Sequence, residues 1–260
     1  MANEIVDLVK STPNILGELY QDLAQPSVRA IGNALGTVFE FSTAILLPLK
    51  LKNEKLKINF KKNLDDYKEK LGKIPEEKRC EVHPQIGTPI MEKLTYTTND
   101  EIADLFTTLL ANASNIDMVN TAHPAFVDMI EKLSPDEARI IKYLKDRTEL
   151  QYCTFRANAK TGTGFNVLYK KVTLIPFDVD LLFPNNVPAY IANLVSIGVL
   201  SDANNLYKTD KSTYEKIRAM YDFKKLEEQL VPNVMKSVKI IEGYYDITEF
   251  GRLFIHACIK

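Results

Sequence analysis

The side chains able to do chemistry in this chain are few and scattered. Cys80-Glu81-Val82-His83 sets a thiol and an imidazole at C-x2-H spacing, and His256-Ala257-Cys258 offers the same two groups near the other end. Four such ligands brought together would hold a structural zinc ion. Neither spacing is that of a zinc finger, so the reading is two ordinary thiols and two ordinary imidazoles. A covalent nucleophile needs a base and an orienting acid converging on it. Cys80, His123 and Asp128 make the one set that can be drawn, and no local frame supports it. His123-Pro124 reads as a helix start instead. Gly162-Thr163-Gly164 lies between two strand-like runs, where a phosphate-cradling loop would join a strand to a helix, so it is a turn. Asp65-Asp66 and Glu227-Glu228 are neighbours on polar helix faces and do not converge on one side. The expectation is a chain with no catalytic, cofactor-binding or metal residues, no cofactor, no identified small-molecule substrate, and no enzymatic activity.

Composition adds bounds. The chain has 260 residues, enough for one large domain or two small ones, and a net charge of -1 that favours no polyanionic partner in bulk. Its three cysteines are far apart and in no CxxC pair. That fits free thiols in a reducing compartment. MANEIVDLVKSTPN lacks a positive segment followed by an apolar one, so no secretory signal is expected. The expected location is the cytoplasm, with attachment to the inner face of the cell membrane as its variant.

The elements that would position any site begin with residues 25–50, QPSVRAIGNALGTVFEFSTAILLPLK, the most apolar run. Pro26 suits a first helical turn and Pro48 ends or kinks the helix, which defines a central apolar helix over 26–49. Residues 30–49 carry one charge, Glu40, and are long enough to cross a bilayer. Gly32 and Gly36 form GxxxG, a face on which two helices approach closely. Phe39, Phe41, Leu46 and Leu47 complete the candidate packing or membrane face. A basic helix over 50–72 follows. Across residues 50–79 there are 11 Lys and Arg against 6 acids, a charge of +5. Leu51, Ile58, Leu64, Tyr67 and Leu71 would give it an apolar side, and Lys55, Lys57, Lys61 and Lys62 a basic contact face. Two readings stay open: a buried core helix beside a solvated charged one, or a membrane-active pair.

Further on, a helix opens at residues 98–101 and ends near Ala113, with Ile102, Leu105, Phe106, Leu109 and Leu110 on one side. Another spans 125–133. Ser134-Pro135-Asp136-Glu137 has the composition of a capping box. After Leu150 come strand-like runs, QYCTFRA and FNVLYKKVTLI, joined by a hairpin-type turn. A helix over 188–196, a charged helix over 214–230, a strand at 238–241 and the closing YDITEFGRLFI complete the chain. The order helix, "xLxxxGVL", two-stranded wing and "IT-x-x-GRLF" resembles a winged helix. In such modules the reading helix brings Lys, Arg, Asn or Gln to the groove. Residues 187–197 offer only Asn193, so DNA reading is the weaker alternative to protein docking. The expected fold is mainly α: a multi-helix domain over 1–133, then an elaborated winged-helix-like α+β domain over 134–260.

Several segments together resemble the abortive infection alpha family. They are DLAQPSVRAIGNALGTVFEF, KIPEEKR, IGTPIMEKLTYTTNDEIADLFTTLLANA, AHPAFVDMIEKLSPDEARIIKYL and the terminal YDITEFGRLFIHACI, in that order from about residue 16. The resemblance implies a bacterial protein associated with defence against phage. It brings no catalytic motif and no cofactor. With the residues above, it leads to a non-enzymatic phage-defence protein that works through a protein partner, self-association or a membrane surface. A winged-helix transcriptional regulator is the alternative.

Overall fold

The computed structural model describes residues 34–35, 54–161, 163–204, 206–221, 225, 228 and 235–259. They fall into two compact units, Met1–Ala138 with Leu253–Lys260, and Arg139–Arg252.

The first unit is helical. Helix α1, Glu54–Gly72, buries Phe60, Asn63, Leu64, Tyr67, Lys70 and Leu71, which recur at three- and four-residue steps along one side. This stripe differs from the expected one. Ile58 is 65% exposed, Phe60 takes the inward place, and three of the six inward residues are polar. Each polar group has its partner. Asn63 Nδ2 donates to the carbonyls of Leu94 at 2.8 Å and Thr97 at 2.9 Å, closing the end of α2, Pro84–Leu94. Tyr67 Oη and Ser114 Oγ share a hydrogen bond of 2.7 Å. The Lys70 ammonium, on a side chain only 2% exposed, donates to Asp66 and Asp104 at 2.7 Å each and to Thr107 Oγ1 at 2.5 Å.

Helix α3, Asp100–Ala113, starts where Asn99 accepts from Ile102 N–H at 3.2 Å, and nine of its residues are buried. A helix apolar around most of its circumference belongs in the middle of a bundle. Helix α4, Ala125–Glu131, sets Phe126 edge-on to Phe254, 5.3 Å between ring centres. Helix α5, Pro135–Leu144, begins with the expected capping box: Ser134 N–H donates to Glu137 at 2.6 Å and Glu137 N–H returns to Ser134 Oγ at 3.3 Å.

The second unit is built on one antiparallel sheet of order β2-β1-β4-β3, so the fold is mixed α+β: a helical part followed by an α+β part, as expected, with the sheet keeping it from being purely helical. Strand β1 is Glu149–Ala159 and β2 Phe165–Val172, the expected hairpin, with register shifts on either side of Phe155. Helices α6, Ile175–Asp178, and α7, Val187–Ser196, lead to β3, Leu200–Asp202. Helix α8, Ser212–Met220, is capped by Tyr221; of the rest of the expected 214–230 helix, residues 225 and 228 are described, and both are helical. Strand β4, Met235–Ile247, is far longer than 238–241 and pairs with the whole of β1, from Met235 to Asp246.

The sheet and α8 bury Cys153, Phe155, Tyr214 and Ile217 together on one side. Helix α9, Glu249–Cys258, explains the "IT-x-x-G" motif. Thr248 Oγ1 accepts from Gly251 N–H at 2.8 Å and donates to the Gly198 carbonyl at 2.6 Å. A Cβ on Gly251 would sit 2.3 Å from the Val199 carbonyl oxygen, so only glycine allows this approach of helix to backbone. The motif is a structural joint.

Candidate functional site

One polar cluster of the second unit draws one residue from each strand. Tyr152 of β1 stands opposite Gly243 of β4 in the ladder, and its ring lies over that glycine. A Cβ there would come within 2.5 Å of the ring, so the glycine opens the space. The Tyr152 hydroxyl donates to Asp202 Oδ1 of β3 at 3.0 Å. Tyr245 of β4 packs beside it, ring centres 5.0 Å apart. Lys171 of β2 completes the set: its ammonium sits 5.2 Å from the centre of the Tyr152 ring and 5.5 Å from that of Tyr245, and it is ion-paired with Asp202. A cation over two tyrosine faces is attracted by both ring quadrupoles.

β2 and β3 are the two edges of the sheet, yet Lys171 and Asp202 touch. The sheet is therefore curled until its edges meet over the tyrosines. The register shifts in β2 are part of that curl, because bulges bend a strand and re-aim its side chains. Lys171 itself has a φ of +51°, the left-handed region, where a residue with a Cβ is strained. Asn204, with φ +26°, is the other such residue among the described non-glycines, and its N–H donates to Asp202 Oδ1 at 3.3 Å. Both strained backbones thus converge on one carboxylate. Such strain persists only where the surroundings over-determine it, and it gathers at functional places.

Burial works against the Asp202 charge, but the bonds from Lys171, Tyr152 and the Asn204 N–H outweigh it and hold the carboxyl below its ordinary value. Burial and then the bond to Asp202 push the Tyr152 phenol up. Burial pushes Tyr245 up to about 12. At neutral pH this is one cation, one anion and two neutral phenols.

Beside the cluster lies an open groove of about 840 Å³, between the end of β2, α6 and α7. Its aromatic wall is Tyr169, Tyr221 and Phe177. Tyr221 touches both neighbours, at 5.6 Å and 5.5 Å between ring centres, and Phe177 is 49% exposed. Lys171 and Asp202 lie on its lining.

The residues singled out in the sequence lie elsewhere. Gly32, Gly36, Phe39, Phe41, Leu46 and Leu47 are outside the described residues. Of the apolar run, Ala34 and Leu35 are described: both are helical and buried, and the Ala34 carbonyl accepts from Val82 N–H at 2.9 Å. Lys55, Lys61 and Lys62 are exposed on α1, Lys57 is partly buried, and Lys62 is ion-paired with Asp100. His83 and His123 accept through Nδ1 from the N–H groups of Gln85 and Ala125, at 3.2 Å and 3.1 Å, starting α2 and α4. Cys80 Sγ donates to the Ala113 carbonyl at 3.7 Å. Burial pushes the Cys153 thiol up to about 12 and Cys258 well above its ordinary value, so neither is a thiolate at neutral pH. Among the described residues no three His, Cys, Asp or Glu side chains are grouped to hold a metal.

The sequence reading passed over Lys171, Asp202 and Tyr152. The signal that pointed there was Gly243, an isolated glycine inside KIIEGYYDI, which marks close approach to another group in a strand.

The geometry defines a two-unit α+β protein, a helical bundle and a curled sheet closed by a lysine–carboxylate pair. The chain belongs to the abortive infection alpha family, whose profile matches residues 53–258. No curated protein matches it. Among solved structures it is similar to an uncharacterized protein from the hydrocarbon-degrading marine bacterium Alcanivorax borkumensis SK2. The identity is 17%, over 56% of this chain and 99% of that one, with a TM-score of 0.34. At that distance the likeness carries no argument.

Proposed function

We propose that the protein serves in abortive infection against phage and that it acts by contact, with a protein partner or a membrane surface, rather than by catalysis. The family match across residues 53–258, which takes in described parts of both units, carries the first half of this reading. The second half is supported by the state of the reactive groups. Two thiols are held protonated by burial, and His83 and His123 are engaged in starting helices. The outer face of α1 supports contact: Ile58, 65% exposed, stands among Lys55, Lys61 and Lys62. An apolar side chain set among lysines favours an acidic, partly apolar surface. Among the described residues, which take in only Ala34 and Leu35 of the apolar run, no helix is long and apolar enough to cross a membrane. A winged-helix regulator would need a reading helix, and α7 supplies no Lys or Arg.

The test is plaque formation by a panel of phages on cells expressing the wild type, Ile58→Glu, or Lys55→Glu with Lys61→Glu. The wild type should lower plaque counts, and the α1 variants should restore them while accumulating to the same level. Counts equal to an empty vector for every phage would remove the reading. Full protection by both variants would remove the α1 face from it.

A further inference from the structure

We infer that the groove beside Lys171 and Asp202 is a binding site for a nucleoside phosphate. The inference goes beyond the contact reading and stands independently of it. Three features of the groove lead to this ligand chemistry.

The first is its aromatic wall. Tyr169 and Phe177 flank Tyr221 along the groove, and both are exposed, Phe177 by half. Exposed rings lining a concavity are the usual stacking platform for a planar base, because every base offers a π-face. A groove of about 840 Å³ exceeds what one ring fills and is of the size that takes a ring with a polar half attached.

The second is charge. Besides its tyrosines, the ionisable groups on the lining are Lys170, Lys171 and Asp202. Lys171 and Asp202 neutralise each other, which leaves the exposed Lys170 as the surplus positive charge at the rim. Among the described residues no acid is paired with it. An anionic group entering beside the rings would meet Lys170 first. Asn185 shares the rim, and an amide carries the paired donor and acceptor that an adenine edge offers in return.

The third is preorganisation. Lys171 is held at a left-handed φ, its ammonium fixed over two rings and on a carboxylate to which Tyr152 and the Asn204 N–H also donate. The side of the groove nearest the sheet is thereby set before any ligand arrives. Fixing a wall in advance removes part of the ordering cost of binding.

The experiment is calorimetric titration of the full chain with AMP, adenosine, inorganic phosphate, and a 5′-phosphorylated single-stranded oligonucleotide. AMP should bind, adenosine more weakly, and phosphate alone without detectable heat. Phe177→Ala, a truncation at a half-exposed position, should weaken AMP by roughly tenfold to a hundredfold, the usual loss for one stacking ring. Lys170→Glu should bring AMP down to the level of adenosine, and both variants should melt with the wild type. Tighter binding of the oligonucleotide than of AMP would assign the site to the end of a strand, and binding of AMP alone to a free nucleotide. Absence of AMP binding by the folded wild type overturns the inference. So does binding that neither variant weakens.

Discussion

Replacing Gly243 with alanine should destabilise the second unit through one identifiable contact. The added methyl would lie 2.5 Å from Tyr152 Cζ and Oη and 2.6 Å from Cε2, about 1 Å inside ordinary van der Waals contact, which begins near 3.4 Å. The ring has little freedom to retreat. Its hydroxyl is bonded to Asp202, Tyr245 packs beside it, and the Lys171 ammonium covers it. Overpacking of this kind costs about 1–3 kcal/mol. If the ring swings out, the bond to the carboxylate goes too, a further loss of about 1–2 kcal/mol. The sum is about 2–5 kcal/mol, or a fall in melting temperature of roughly 5–15 °C for a chain of this size.

The informative assay is a double-mutant cycle by thermal or urea unfolding, with Gly243→Ala, Tyr152→Leu and the pair. Leucine has no ring over β4, so the alanine should cost much less in its presence, with a coupling of about 1–3 kcal/mol. Equal cost in both backgrounds would refute the reasoning, since the damage would then come from the backbone of β4 and not from the tyrosine laid over it.

Three further outcomes are expected. Asp66→Asn with Asp104→Asn strands the buried Lys70 ammonium and should cost about 3–5 kcal/mol in urea unfolding, more than Lys70→Met, which removes the buried charge itself; the reverse order would show that Lys70 is hydrated. Because the Asp202 carboxyl is held below its ordinary value of 3.8, its contribution is complete above that pH and is lost as pH falls through the lowered value. Acid titration of stability should therefore show the advantage of the wild type over Asp202→Asn shrinking below pH 3.8, and a constant difference down to strong acid would contradict the pairing. A gel-shift at low salt should show no retention of duplex DNA, as α7 carries no Lys or Arg; a salt-sensitive shift would return the regulator reading.

What could be read in the sequence was what is encoded locally. Ser134 to Glu137 announce the capping box because both bonds close within four residues. The β1–β2 hairpin follows from two strand-like runs and a short turn. Helix α3 follows from apolar spacing over 14 residues. The candidate site has no such signature. Lys171 and Asp202 are 31 residues apart and meet because a bulged edge strand and a curled sheet bring them together. A left-handed φ at a lysine is imposed by that curl and contradicts the residue's own preference. β4 continues through Gly243, which in the ladder is the space Tyr152 occupies.

The same distinction changes the meaning of the basic run. Counted along residues 50–79 the charge is +5, and on a solvated helix that would be a strong attraction for an anionic surface. The fold answers much of it with acids from outside the run. Asp104 joins Asp66 on Lys70, Asp100 meets Lys62 and Asp117 meets Lys78, while Glu69 within the run meets Lys73. Lys70 is moreover buried, where it cannot reach a lipid or a partner at all. A charge sum along one helix therefore overstates the field outside it, because the count omits acids that only tertiary structure brings alongside. A contact face on α1 consequently depends on a few exposed positions around Ile58, not on the net charge of the segment. That is why Ile58→Glu, and Lys55→Glu paired with Lys61→Glu, are the right scale of perturbation for it.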